Sequence, residues 1–461
     1  MTSTGAQIGA VRALLHGLFA TLLAWLLLGL PIARPEAPGF KIDEAEYLTM
    51  AVHSVRQARG ETDASVNGLL NLPPDAMEWR HGIHSSTFGF LSPGLPKLVF
   101  GLVGTSAGIG EVSPEVFPRF ARPGSHQQKV ERMFAARGEV LPALAPARGV
   151  TRVLAALIAG ALALAATLVA AGWRGAGAVL AHGAGLIALG LWLSSPIAWE
   201  AADHVRPGLF PILSWSLGLS AALWALRFPN SRLRSPWLLA PTLGLCVGLG
   251  AAGKLNGVLF APLVPLFLFG ALRARGAGTT RAACGALVGT LAAGLISFVA
   301  FLALAPGLWS DTVYGVRTIL NGWTSGFARQ GQLSGGQVEV AETALDSLRI
   351  GFHRLVSDGG PVAGVVPYLG AVLLPLGLLM LAAVALRGEA AREDDERPPL
   401  AARPELAVLL WSAVLLFASA WIIPLYRIRY ILPLAAPAAL VQALLVARAG
   451  LWIARRRRTD A

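Results

Sequence analysis

A chain of 461 residues that is 55% hydrophobic and only 14% charged, with a mean hydropathy of +0.60, is too apolar for a water-soluble globule and reads as a polytopic membrane protein. The formal net charge of +12 does not point to nucleic acid, because the basic residues sit at the ends of apolar runs and form no stripe on one polar domain. Cys246 and Cys284 both fall in apolar segments, so neither a disulfide framework nor a thiolate metal site is indicated.

The first apolar run, Leu14 to Ile32, is long enough to span and is followed by no clear small-x-small cleavage pattern. It reads as a retained signal-anchor. Further along the chain, runs long enough to cross a core of roughly 30 Å give expected spans near 12–32, 150–172, 177–194, 207–226, 237–251, 257–272, 283–305, 362–386, 406–424 and 430–450. The fifth is short and is expected to tilt or break near Gly253. Phe88 to Val103 is also apolar, but Pro93, Gly94, Pro96 and Lys97 make it a poor spanning helix, and it reads as a re-entrant or interfacial segment.

Parity supports that choice. With ten spans and a cytoplasmic N-terminus, Arg174, then Arg227, Arg232 and Arg234, then Arg273, Arg275 and Arg281, and finally Arg455 to Arg458 all fall on the cytoplasmic side. An eleventh span would put the terminal RRRR outside. The fold class expected is therefore an all-α polytopic membrane protein of about ten helices with juxtamembrane segments on the outer face. Its regions are an N-terminal tail and first span (1–32), a first outer loop (33–149), spans two to seven (150–306), a second outer loop (307–360), and the last three spans with a basic cytoplasmic tail (361–461). The acidic and basic stretch Arg387 to Arg403 becomes a cytoplasmic linker.

Several charges then stand where orientation rules would not put them. The adjacent acids Asp43 and Glu44 lie about ten residues outside the first span, and Arg206, Lys254, Arg427 and Arg429 lie in very short outer turns or at outer helix ends. A charge held at headgroup level is costly and wants a partner, either one of those acids or an anionic lipid phosphate. The turn SSPIAWEAADHVRPG adds Glu200, Asp203 and His204 beside Arg206. Asp203 with His204 lacks the second spaced pair a metal site needs, so interfacial hydrogen bonding is the simpler reading and no divalent metal is indicated. The sequence holds no HExxH, P-loop, GxSxG or strand-turn-helix GxGxxG pattern, which removes the usual metalloprotease, nucleotide-hydrolase and serine-hydrolase readings.

The KIDEAEY acids after the first span, followed in the same loop by SPGLPKL, resemble the DE and HPPLGKLL elements of the protein O-mannosyltransferases, glycosyltransferase family 39, and their bacterial relatives in the GT-C superfamily. GLGAAGKLNGVLFAPL (248–263) is similar to the family's Gly-rich stretch. PGLWSD (306–311) and IRYILPLAAP (428–437) resemble its later outer-loop and last-span elements, in the same order along the chain. Ser92 stands where the family has His, and Gly94 replaces its second Pro. The loop after the seventh span is too short for the extra sugar-recognition domain of eukaryotic members, which fits a bacterial relative in the cytoplasmic membrane.

The resemblance implies transfer of one sugar from a polyprenyl-phosphate donor to an extracytoplasmic acceptor hydroxyl on protein, lipid or glycan, with inversion, no required cofactor, and membrane lipids rather than nucleic acid as surroundings. Phosphate is a weakly basic leaving group, so one carboxylate acting as base on the acceptor suffices. The resemblance assigns that role to Asp43, with Glu44 orienting a neighbour; the residues alone leave the two equal. Lys97, Arg206, Lys254, Arg427 and Arg429 are the candidates for the departing phosphate. His84 is a candidate for a sugar hydroxyl, with Asp203 and His204 nearby in the substrate site, and Trp309, Trp323 and Phe327 could stack on a sugar face or belong to an interfacial belt. Small residues across Gly248 to Gly257 suit an apolar groove for the carrier's tail. Two other classes use a similar inventory, a lipid-linked-sugar flippase or secondary transporter and a non-catalytic membrane scaffold. A transporter would place its charges near the bilayer midplane on interrupted helices.

Overall fold

The computed structural model describes residues 3–29, 42–59, 94–109, 137–174, 176–228, 235–305, 343–363, 366, 368–388, 398–422 and 432–459. Among these the regular structure is helical throughout. The chain runs α1 (Ser3–Gly29), α2 (Ile42–Ala58), α3 (Gly94–Ser106), α4 (Arg137–Ala170), α5 (Ala178–Leu193), α6 (Pro196–Ala202), α7 (Leu209–Arg227) and α8 (Pro236–Gly253). After a 3-10 turn (Leu255–Phe260) come α9 (Leu263–Ala274), α10 (Thr279–Ala303), α11 (Ala344–Arg354), α12 (Leu369–Arg387), α13 (Pro404–Ile422) and α14 (Leu432–Thr459).

Seven segments are long and apolar enough to cross a membrane: Gly9–Gly29, Leu141–Ala170, Leu209–Arg227, Leu255–Ala274, Thr279–Ala303, Leu369–Arg387 and Leu432–Arg457. The pair α5 and α6, bent by 72°, makes an eighth if counted as one span. The apolar helices Trp237–Gly253 and Pro404–Phe417 are shorter. The protein is thus a multi-pass helical membrane protein, and its surface agrees: Leu287, Val288, Leu291, Leu295, Phe298 and Val299 of α10 are all exposed, an apolar face that water would not tolerate on a monomer.

Glycine sets the closest packing. A Cβ on Gly160 of α4 would lie 1.8 Å from Thr21 Oγ1, and Gly17 of α1 faces Leu164, so α1 and α4 run antiparallel in near-backbone contact. Gly244 and Gly248 of α8 abut Ala293 and Ser297 of α10 in parallel, with a virtual Cβ 2.5 and 2.6 Å from their carbonyl oxygens. Gly250 and Gly257 press on one another across the 3-10 turn, and Gly253 meets Phe210. The small residues of 248–257 therefore let the helices pack closely at these positions.

Other boundaries depart from the sequence reading for identifiable reasons. Helix α4 begins at Arg137, about three turns ahead of the expected span, and carries Pro142 and Pro146 inside it. Proline argues locally against helix there, but Ala143, Leu144 and Ala147 are buried in the main core, and that packing overrides the lost backbone bonds. Helix α12 starts seven residues later than expected, after Val362 and Tyr368 adopt positive φ of 58° and 65°. The basic residues Arg455 to Arg458 continue α14 instead of forming a separate tail.

The helix ends gather into two sets. At one, Trp173 Nε1 donates to Glu405 Oε1 at 3.0 Å, Arg227 Nη2 to the Ala171 carbonyl at 2.6 Å, and Arg455 Nη2 to the Arg174 carbonyl. This arginine end also holds Arg403, which donates to the carbonyls of Ala385, Leu386 and Pro398. The opposite end holds α2, α3, α6 and the residues that follow α6.

Candidate functional site

Helix α2 is amphipathic. Glu44, Tyr47, Leu48, Ala51, Val52 and Val55 are buried along one stripe, and Asp43 and Glu44 occupy the first turn, where the helix dipole favours negative charge. Helix α3, only 13 residues long and so about 20 Å, packs on that stripe. Its Gly101 sits so close that a Cβ would lie 2.1 Å from the Ala51 carbonyl, and Gly104 faces Val52. At its N-terminus Gly94 meets the Leu304–Ala305 backbone after α10, with a virtual Cβ 2.1 Å from the Leu304 carbonyl. A larger residue does not fit there. Residues 88–93 of the expected interfacial segment lie outside the described residues.

Edge-to-face rings tie these helices to the bundle. Tyr47 and Phe100 have centroids 5.8 Å apart, and Phe100 and Phe210 6.0 Å. Phe210 in turn touches Gly253, so α3 and the break after α8 share one packing cluster. That cluster brings Lys97 and Lys254 to the same end of the molecule. Lys97 is buried, and desolvation pushes its ammonium down to about 7. Lys254 is extended, at φ −166° and ψ 142°, where α8 stops and the 3-10 turn starts, as the expected break near Gly253 requires.

The centre of the site is a clasp on Glu44. Its carboxylate accepts from Arg148 Nε at 3.0 Å and Nη2 at 2.7 Å, and from the Val205 backbone N–H at 2.8 Å. Glu44 is 2% exposed and Arg148 8%, so the fork-to-fork pair is withdrawn from water. One turn on, Arg152 faces Asp203 at 3.5 Å, while the Thr151 hydroxyl lies 2.8 Å from the carbonyls of Arg148 and Ala202. Arg206 Nη2 reaches Glu200 Oε1 at 2.6 Å, and His204 Nδ1 lies 2.8 Å from the Glu200 carbonyl.

The bend between α5 and α6 makes this possible by turning residues 196–206 across the helix ends. It is held from a distant part of the chain: Ser195 Oγ donates to the Gly359 carbonyl, and Ser194 Oγ accepts from the Val362 N–H at 3.0 Å. Val362 is a β-branched residue in the left-handed region, a strain of order 1–3 kcal/mol that this contact helps hold.

The structure thus brings Glu44, Asp203, His204 and Arg206 into one network and places Lys97 and Lys254 at the same end. Asp43 lies on the first turn of α2, its side chain outside the described set. His84, Arg427, Arg429, Trp309, Trp323 and Phe327 also lie outside the described residues. Asp203 and His204 are engaged with Arg152 and the Glu200 carbonyl, and among the described residues no cluster of three His, Cys, Asp or Glu has metal-site geometry. Sequence reasoning missed Arg148, Thr151 and Arg152, which stand at or just inside the start of the second span set at residue 150. Two arginines one helical turn apart, at the end of a span opposite the arginine-rich turns, were the available signal. No protein-family profile matches the sequence, and no curated protein matches it significantly.

Proposed function

We propose that the protein is an integral membrane glycosyltransferase of GT-C type, with ten spans and both termini cytoplasmic, that passes a single sugar from a polyprenyl-phosphate carrier to an acceptor hydroxyl on the outer face. The observation that carries this reading is the division of labour it gives the acidic pair. Both oxygens of Glu44 are taken by Arg148, and one also by Val205, so Glu44 is a positioning residue that fixes the first turn of α2. Asp43 precedes it on that turn, about 100° around the helix axis, and is the base in this reading. In the reaction Asp43 takes the acceptor O–H proton, the acceptor oxygen bonds to the anomeric carbon from the face opposite the phosphate, and the carbon–oxygen bond to the lipid phosphate breaks with its electrons. Lys97 and Lys254, with Arg427 and Arg429 as further candidates, neutralise the released phosphate.

The ion pairs of the site join α2, the N-terminal half of α4 and the segment after α5 at the end of the bundle opposite the arginine end, and this one-faced placement supports transfer over transport. The test uses purified protein with defined polyprenyl-phosphate sugars, product mass spectrometry, and separate assays of donor binding and transfer. Asp43→Asn is expected to keep donor binding and lower transfer by roughly 100- to 10,000-fold, the usual contribution of a positioned base. Transfer within a few-fold of the parent would overturn the assignment. Sugar movement across vesicles without product would replace the enzyme reading with transport.

A further inference from the structure

A cavity of about 360 Å³ opens at the arginine end, between α1, α4, α5 and α7, far along the spans from the Glu44 clasp. Its volume falls in the roughly 300–1,000 Å³ typical of small-ligand sites. Most of its wall is apolar, including Ala13, Leu168 and Phe228, and its charged lining residues are Arg12 and Arg227. No acid lines it. His182 completes the polar part; its Nδ1 is buried without a hydrogen-bond partner, and its ring lies 4.6 Å from that of His16, whose Nε2 is likewise unpartnered.

An orientation signal needs only positive charge in a turn. Here arginines from two spans, one near the start of α1 and one at the last residue of α7, converge on the same hollow. Arg227 spends one N–H on the Ala171 carbonyl, and a guanidinium has five. The acid acting on Arg227 from outside the lining is Glu405, itself bound by Trp173. On α1, Gly9, Arg12 and Ala13 line the cavity while Val11, Leu14, Leu15 and Leu18 are exposed toward the membrane, so the hollow lies at the lipid boundary.

We infer that this cavity binds the phosphate head of an anionic phospholipid from the leaflet at that end, the phosphate held between Arg12 and Arg227 and the first acyl methylenes against the apolar wall. Two cations, unpaired donors and a hydrocarbon lining complement that ligand class, and a zwitterionic headgroup would bring its own ammonium up against the two arginines where an anionic one does not. The inference does not depend on the transfer reaction.

Native mass spectrometry of the full chain, delipidated and then given phosphatidylglycerol, phosphatidylcholine or inorganic phosphate, tests it. The parent should retain phosphatidylglycerol well above phosphatidylcholine and bind inorganic phosphate weakly. Arg12→Gln and Arg227→Gln should each lower phosphatidylglycerol retention about fivefold and leave phosphatidylcholine unchanged. Arg12 is exposed, so its variant tests the site even if loss of the Arg227–Ala171 bond impairs folding. Equal retention of the two lipids, unchanged retention in Arg12→Gln, or displacement of phosphatidylglycerol by equimolar polyprenyl phosphate would overturn the assignment.

Discussion

The two ends of the helix bundle use arginine in opposite ways. At the arginine end, Arg227, Arg403 and Arg455 donate to backbone carbonyls at or just past helix C-termini, where the dipole is negative and the last carbonyls lack partners. At the other end Arg148, Arg152 and Arg206 face carboxylates, the first two on other elements and the third six residues away. A carbonyl is neutral, so a lost cap leaves no buried charge, even where the bond joins distant segments as Arg227 to Ala171 and Arg455 to Arg174 do. A buried ion pair such as Arg148 with Glu44 instead leaves a charge without its counter-ion if either partner is lost.

The largest difference should follow from breaking one pair of each kind. Arg148→Met leaves Glu44 buried without its fork and should cost about 3–5 kcal/mol, read as a lower unfolding midpoint in detergent. Combining it with Glu44→Leu removes both charges, and the double variant should recover much of that stability while losing transfer, since the first turn of α2 is no longer pinned. If the single variant is as stable as the parent, the clasp is not a structural tie.

A smaller effect is expected where backbones touch. Gly101→Ala pushes a Cβ onto the Ala51 carbonyl and should cost about 1–3 kcal/mol by separating α3 from α2. Gly183→Ala, in the middle of α5 with no atom within 4 Å of the new Cβ, should instead be neutral or gain up to about 1 kcal/mol. Equal midpoints for the two would show that α3 is not seated as described.

The smallest effect belongs to the arginine end. Arg403→Gln removes donors to Ala385 and Leu386 but leaves no buried charge behind, and should cost about 1 kcal/mol. A loss as large as that for Arg148→Met would erase the distinction between the two ends.

Much of the architecture was legible in the sequence because apolar run length is a one-dimensional property. Apolar helices stand near the expected span positions, seven of them long enough to cross and an eighth if the bent pair is one span, and the kink at Lys254 followed from its Gly-rich flank. What could not be read is tertiary. The start of α4 was hidden by Pro142 and Pro146, whose local preference is outweighed by burial of Ala143 and Ala147. Arg148 could be counted as a flanking charge, but its match to an acid 104 residues away depends on how α2 folds back. The same fold-back engages Glu44 with Arg148 and Val205, where composition and spacing had left it equivalent to Asp43. At Gly94 the close approach of the Leu304–Ala305 backbone was likewise invisible in the sequence.

The elbow between α5 and α6 has a consequence for the order in which the molecule is made. A contact cannot form before both partners have left the ribosome, and chains are synthesised from the N-terminus. The Glu44–Arg148 pair can close once α4 has been synthesised, and the Val205 bond to Glu44 must wait for residues after α6. The ties from Ser195 to Gly359 and from Ser194 to Val362, separated by 164 and 168 residues, wait for the segment after α11. The site that begins with an acid at position 44 is therefore locked only after more than three quarters of the chain has been made, and the nascent protein lacks its finished site throughout most of its insertion.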